Sequence, residues 1–225
     1  MVYAIIVAGG IGARMNSTVP KQFLEVNGKP VILYSIEKFI QSFPSIEIII
    51  VLPNDYIDMC SNLLKSYNIK QHIHFVTGGD TRFQSVKNGL NVINLDGIVF
   101  IHDAVRPCIN QELLDRLYIQ AIKTGNAIPC VELKDSIRFI EKGISKSVDR
   151  QCYKSIQTPQ TFNIETIKKA FLQEFQSTFT DEASVLESIG GPINLVDGLD
   201  ENVKVTRPAD LELVSILLKK YNEST

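Results

Sequence analysis

Cysteine is scarce in this sequence, and its placement excludes more than its number. Cys60, Cys108, Cys130 and Cys152 stand at least 22 positions apart, so no CxxC pair is available for zinc or for thiol–disulfide chemistry, and reduced structural thiols are expected. Histidine is scarcer still: His72 and His74 share one strand face, but no third ligand accompanies them in the sequence to make a metal site. A dominant charge sign is missing, because 23 Lys+Arg against 25 Asp+Glu leave a formal net charge of −2. That balance gives no general electrostatic reason to bind nucleic acid or an anionic membrane. Long hydrophobic runs are missing too, since Ala4 to Ala8 and Ile48 to Leu52 fall far short of the roughly 18 to 20 residues that span a bilayer. Met1 leads directly into a strand-like run with no basic region or apolar core before it, which points to the cytoplasm. What remains, at 44% hydrophobic and 21% charged over 225 residues, is an ordinary globular composition that excludes disorder, collagen and coiled coil.

Four short Ile- and Val-rich runs, Tyr3 to Ala8, Glu47 to Leu52, Ile73 to Val76 and Ile98 to His102, read as buried strands. Between and after them, Pro30 to Gln41, Asp55 to Tyr67, Thr81 to Ile93 and Gln111 to Thr124 carry apolar residues at helical spacing. This alternation predicts an α/β fold whose mostly parallel sheet has helices on both faces, with ligands at the carboxyl ends of the strands. The rhythm breaks after Pro129, where Val131 to Ile140 and Ile144 to Val148 predict two strands joined at Glu141-Lys142-Gly143, an antiparallel hairpin inserted in the fold. Helices near Ile164 to Phe175 and Asp181 to Ile189, a strand at Ile193 to Val196 and a closing helix from Pro208 to Lys219 follow. No repeat or linker divides the chain, so one domain is expected over 1–225, with 131–155 as an inserted β-arm.

The first strand runs into Ala8-Gly9-Gly10-Ile11-Gly12-Ala13-Arg14-Met15, followed by Pro20-Lys21-Gln22. Glycines there let backbone N–H groups approach an anion that a Cβ would obstruct. A dinucleotide fingerprint begun at Gly10 finds Met15 where its third glycine belongs, and Gly28-Lys29-Pro30 fails as a P-loop. Arg14 and Lys21, seven positions apart, suit phosphoryl or nucleotidyl transfer, whose transition state gathers charge on non-bridging oxygens. A tight turn with two solvated cations is the alternative for this loop taken alone.

Further along come Gly78-Gly79-Asp80-Thr81-Arg82 with Ser85, His102-Asp103-Ala104-Val105-Arg106-Pro107, Gln157-Thr158-Pro159-Gln160-Thr161-Phe162, Thr180-Asp181-Glu182-Ala183 and Asn202-Val203-Lys204-Val205-Thr206-Arg207-Pro208. The ordered set resembles the 2-C-methyl-D-erythritol 4-phosphate cytidylyltransferases of isoprenoid biosynthesis and their relatives acting on ribitol 5-phosphate. It implies a Rossmann-like fold of the nucleotide-diphospho-sugar transferase kind with a hairpin dimerisation arm. Carried over by position, it implies that Ala8, Gly9, Gly10 and Gly12 wrap the CTP phosphates while Arg14 and Lys21 stabilise the transition state. Gly79, Asp80 and Ser85 would take the cytosine and ribose end, joined by Asp103 and Ala104. Arg150 and Lys204 would position the acceptor phosphate, with Ser136 on the arm and Thr158 near the acceptor or the base of the arm. The arm would carry Ser136 and Arg150 to a second subunit, implying a homodimer. Independently, an isolated two-stranded hairpin is marginal in water and suggests that this segment packs against something.

The chemistry needs no protein base, because a phosphate monoester is largely the dianion at pH 7. Mg2+, held mainly through phosphate oxygens, would be the cofactor. His102 is expected to support Asp103 by packing. The hairpin reads Asp135-Ser136-Ile137-Arg138 where the family usually has Asp-Thr, an apolar residue and Lys. The glycine loop and His-Asp-Ala-Val-Arg-Pro look closer to the ribitol phosphate branch. Gly-Gly-Asp-x-Arg, Val148-Asp149-Arg150 and Thr-Asp-Glu-Ala look closer to the methylerythritol phosphate branch. A nucleotide-binding module without chemistry is the alternative from another class, and turnover with CTP separates it.

Overall fold

The computed structural model describes residues 1–10 and 19–223. In chain order the elements are β1 (Val2–Val7), β2 (Glu25–Val26), β3 (Lys29–Pro30), α1 (Val31–Ser42), β4 (Glu47–Leu52), α2 (Ile57–Ser66), β5 (Ile73–Thr77), α3 (Arg82–Asn91), β6 (Ile98–Asp103) and α4 (Gln111–Thr124). Then come β7 (Asn126–Glu132), β8 (Arg138–Glu141), β9 (Ile144–Ser147), β10 (Lys154–Ile156), β11 (Gln160–Asn163), α5 (Ile164–Ala170), α6 (Glu182–Glu187), β12 (Leu195–Asp197) and α7 (Pro208–Glu223).

The main sheet has eight strands in the order β10-β7-β11-β6-β1-β4-β5, with β12 also paired to β7. Strands β6, β1, β4 and β5 run parallel, while β11 lies antiparallel between β6 and β7. The parallel strands read as unbroken apolar runs because both of their faces are covered. In β1, Ala4 and Ile6 pack with residues of α1, α2 and α4, whereas Tyr3 and Ile5 pack with residues of α3, α5 and α6. Helix α1 shows the local cause: Ile32, Leu33, Ile36 and Phe39 recur at helical spacing, and each is fully buried. Burial at this level stabilises by about 1.5–3 kcal/mol per large apolar side chain. No helix among the described residues is long and apolar enough to cross a membrane.

The chain passes from β1 outward to β4 and β5, then returns to place β6 on the other side of β1. This reversal makes the carboxyl ends of β1 and β6 a topological switch point, where open α/β sheets leave a crevice for ligands.

The helix expected from Ile164 to Phe175 ends at Ala170, the strand expected at Ile193 to Val196 is Leu195–Asp197, and two larger features also depart from the sequence expectation. The stretch expected as one strand from Val131 to Ile140 is two, because β7 ends at Glu132 and β8 begins at Arg138. Where the chain leaves the sheet it is tied from outside, by a Lys134–Asp200 ion pair of 2.8 Å and by Arg150 Nη1 donating to the Lys134 carbonyl. The hairpin itself closes through Lys142 (φ 48°) and Gly143 (φ 79°), the left-handed pair that a two-residue turn requires. The second departure is β11, whose Gln160 and Thr161 are polar yet buried. Gln160 is accommodated because its amide donates to Asp181 Oδ2 at 2.8 Å and accepts the Ala183 N–H at 2.9 Å.

Candidate active site

A cavity of about 270 Å3 opens at the switch point. Its described lining comes from three loops: Val7 to Gly10 after β1, Gly79 to Arg82 with Ser85 at the start of α3, and Asp103 and Val105 after β6. Lys21, Gln22 and Lys204 complete it.

Gln22 is buried, and its amide donates to the Ala8 carbonyl at 2.6 Å, which fixes the loop leaving β1. A Cβ on Gly9 would lie 3.9 Å from Ser85 Oγ, and one on Gly10 would lie 3.8 Å from Lys21 Cε. Among the described residues both positions have room for a Cβ, which would project into the cavity. Gly79 is different, because a Cβ would come within 2.6 Å of Gln84 Cβ. Ser85 Oγ accepts the Gly79 N–H at 3.1 Å, and Thr81 caps α3 by accepting the Gln84 N–H at 3.0 Å. The pocket wall here is therefore backbone held by short hydroxyl contacts.

Lys21 Nζ donates to the Val205 carbonyl at 2.9 Å, and the neighbouring Lys204 Nζ lies 2.7 Å from Asp103 Oδ2. The segment around 204 thus brings together two lysines 183 positions apart in sequence. Asp103 also takes Arg82 Nη1 on Oδ1 and lies 3.5 Å from Arg106 Nε. Burial alone would raise the pKa of this carboxyl, but Arg82, Lys204 and Arg106 outweigh burial and hold it well below the usual carboxylate range. Arg82 in turn is gripped by buried Glu182, with Nε to Oε1 and Nη2 to Oε2 both at 3.0 Å. Among the described lining residues, Lys21, Arg82 and Lys204 against Asp80 and Asp103 leave the wall net positive, which suits a polyanionic ligand.

Beneath the pocket, Thr158 Oγ1 accepts the Asp103 N–H at 3.1 Å and sits 3.1 Å from His102 Nδ1. His102 Nε2 lies 3.1 Å from the Arg106 carbonyl, so this nitrogen donates and Nδ1 accepts from the threonine hydroxyl. Burial pushes the His102 pKa down to about 3, which keeps the ring neutral. It is a staple across the loop from Asp103 to Arg106, in keeping with the supporting role expected for it.

Of the residues singled out by sequence, Ala8, Gly9, Gly10, Lys21, Gly79, Asp80, Ser85, Asp103 and Lys204 line one cavity. Ala104 is fully buried, its N–H donating to the Val7 carbonyl at 3.1 Å, and it supports the wall from behind. Thr158 is buried and bonded to the underside of Asp103. Ser136 and Arg150 are exposed and are not among the residues lining the cavity of this chain. Gly12 and Arg14 lie outside the described residues. Sequence reasoning assigned no role to Glu182, although a signal was present. Glu182, Val185 and Leu186 recur at helical spacing, which puts a carboxylate on the apolar stripe of α6, where it requires a partner.

A parallel sheet whose switch point opens between two lysines and a glycine-rich wall defines the class: an α/β protein of the nucleotidyltransferase kind. Comparison with known proteins narrows this. The family model of 2-C-methyl-D-erythritol 4-phosphate cytidylyltransferase matches residues 2–220, and the chain belongs to that family. The protein of that name from Bacteroides fragilis is 43% identical over 215 residues, covering 96% of this chain and 98% of the other. Its counterpart in Porphyromonas gingivalis is 39% identical, covering 96% and 97%. Among solved structures, the 4-diphosphocytidyl-2C-methyl-D-erythritol synthase of Anaerococcus prevotii superposes with a TM-score of 0.83 at 26% identity, covering 97% of this chain and 98% of that one. The Francisella tularensis 2-C-methyl-D-erythritol 4-phosphate cytidylyltransferase gives 0.80 at 32% identity, covering 96% and 99%.

Proposed function

We propose that this protein transfers CMP from CTP to 2-C-methyl-D-erythritol 4-phosphate, giving 4-diphosphocytidyl-2-C-methyl-D-erythritol and pyrophosphate. The observation that carries the reading is the convergence of Lys21 and Lys204 on a glycine-walled cavity at the β1/β6 switch point, in a chain matched by the family model over 2–220. An oxygen of the acceptor's phosphate dianion attacks the α-phosphorus, the new P–O bond forms, and the bond to the pyrophosphate oxygen breaks. Ala8, Gly9, Gly10 and Gly12 cradle the phosphates, while Gly79, Asp80, Ser85, Asp103 and Ala104 form and support the nucleoside end. Lys21 and Arg14 neutralise charge developing on the α-phosphate, and Arg150 and Lys204 aim the acceptor. Thr158 positions Asp103 from below.

Asp80 and Asp103 are the carboxylates among the described lining residues, a donor set that suits Mg2+ held mainly through substrate phosphate oxygens. When bound, the ion neutralises charge on the departing pyrophosphate. Asp103 is the residue that would hold it.

The arm supports a homodimer within this reading. On an otherwise isolated hairpin, Phe139, Ile140 and Ile144 are 50%, 63% and 63% exposed, and apolar surface of that kind needs cover. Residues 131–155 then form an arm inserted in a single domain, presenting Ser136 and Arg150 to the pocket of the partner subunit.

Pyrophosphate release with CTP and Mg2+ tests the reading, run in parallel with 2-C-methyl-D-erythritol 4-phosphate and D-ribitol 5-phosphate. Release with the first acceptor alone is expected. Release with the second alone, or silence with both, overturns the assignment.

A further inference from the structure

We infer that Glu182 is a positioning residue of the nucleotide pocket, acting through the Arg82 guanidinium to hold the Asp103 carboxylate in place. The inference rests on the nucleotide-binding reading of the cavity and adds to it a residue that touches no ligand. Glu182 is absent from the cavity lining and its side chain is only 2% exposed, so any effect on the site travels through Arg82.

The geometry leaves Arg82 little freedom. Both Glu182 oxygens engage one edge of the guanidinium, Nε and Nη2, each at 3.0 Å, and the remaining nitrogen, Nη1, donates to Asp103 Oδ1. A planar fork fixed at one edge has a fixed direction at its third nitrogen, a constraint that a lysine ammonium cannot reproduce. Glu182 is itself anchored to the sheet that carries Asp103. Asp181 caps α6 in a reciprocal capping box, and Gln160 on β11 binds both Asp181 and Ala183. Gln160 is also the register partner of Ile101, two residues before Asp103 on β6. Support and supported group thus share one frame.

The two ends of the pair differ. Glu182 is 2% exposed and borders a crevice of about 10 Å3 walled by Phe83, Phe171 and Phe179, whereas the Arg82 side chain is 30% exposed and faces the main cavity. Phe83 stacks on Phe171 at 4.7 Å and on Phe179 at 5.6 Å between ring centroids. At the Glu182 end the loss of the partner would leave a buried carboxylate unpaired. Packing alone would be served as well by an apolar side chain of similar volume. The charge at this position is explained by what it does to Arg82.

The test is CTP affinity by calorimetry with Mg2+ and no acceptor, together with steady-state kinetics and melting temperature, for the wild type, Glu182→Gln, Asp103→Asn and the double variant. We expect Glu182→Gln to weaken CTP binding and raise the CTP KM by about 10-fold or more, the cost of losing an outer-shell partner of a site carboxylate. In the Asp103→Asn background the same substitution should change CTP affinity by less than twofold, a coupling that a purely structural ion pair would not produce. A folded Glu182→Gln protein with wild-type CTP affinity overturns the proposal, as does an undiminished loss in the Asp103→Asn background. If Glu182→Gln fails to fold, Arg82→Lys reads the same link, because it keeps the charge and removes the fork. Wild-type CTP affinity in Arg82→Lys likewise overturns it. A wild type that binds CTP but is silent with the acceptor refutes the acceptor assignment alone. A wild type that binds no CTP refutes the nucleotide reading, and this proposal with it.

Discussion

Stability below neutral pH should be governed in large part by one buried imidazole. His102 is fully buried, with Nδ1 accepting from Thr158 and Nε2 donating to the Arg106 carbonyl, and the contact at Nδ1 exists only in the neutral form. Burial first, then repulsion from Arg106 and Arg82, outweighs the pull of Asp103 and the backbone carbonyl and takes its pKa down to about 3. The unfolded chain binds this proton near pH 6.5 and the folded chain refuses it. The contribution is therefore complete above about pH 6.5 and is lost progressively as the pH falls toward 3. At pH 5 the unfolded state is favoured by about 1.5 pH units of proton binding, which amounts to about 2 kcal/mol from this residue. Urea unfolding at pH 7.5 and pH 5.0, at one fixed protein concentration, measures it against His102→Gln. The variant keeps a donor for the Arg106 carbonyl and costs about 1–3 kcal/mol at pH 7.5 through the unpaired threonine hydroxyl. Its loss between the two pH values should be smaller than the wild type's by about 2 kcal/mol. The Glu182 carboxyl, which burial raises and which therefore acts with the opposite sign, is common to both proteins and cancels. Equal pH dependence in the two proteins would refute the argument.

Three further outcomes follow from the same geometry. Lys21→Ala should retain the fold and lower the rate of pyrophosphate release by about 100-fold or more, the usual cost of one transition-state charge contact, and near-normal turnover would remove Lys21 from its role. Ile140→Asp places a charge on the exposed arm and should convert the proposed dimer to monomer in sedimentation velocity while leaving the circular dichroism of the sheet unchanged. Burial raises the thiols of Cys60 and Cys108 to about 12, whereas Cys152 is exposed. A maleimide at pH 8 should therefore label Cys152 rapidly in the native protein and reach Cys60 and Cys108 only after unfolding, as peptide mass mapping would read.

The parallel half of the molecule was legible because its strands are covered on both faces and must be apolar throughout. Glu47–Leu52 matches its expected bounds, and the helices α3 and α4 begin after Thr81 and Asn110, whose side chains cap them as such residues do. β11 was not legible, because Gln160 and Thr161 carry the composition of a loop, and the partners that let Gln160 be buried are supplied by residues 181 and 183. The arm was legible as a hairpin from Lys142-Gly143, but the break at 133–137 depends on Asp200 and Arg150, which no local pattern connects to Lys134.

The same distinction runs through the site. Glycine, lysine and arginine suit a phosphate for reasons that act within one loop, so the loop after β1 and the position of Lys21 stand out in the sequence. Residues that hold those groups in place have no such local requirement. Arg82 and Glu182 stand 100 positions apart, and neither motif alone states that the two side chains meet. What a sequence does state is the energetic problem: a carboxylate on the buried stripe of a six-residue helix cannot remain unpaired. The partner must be a cation brought in by another element, and in this fold it is Arg82, committed to Glu182 on one side and to the pocket carboxylate Asp103 on the other. A buried charge on an apolar stripe is thus a pointer from the scaffold to the site it supports.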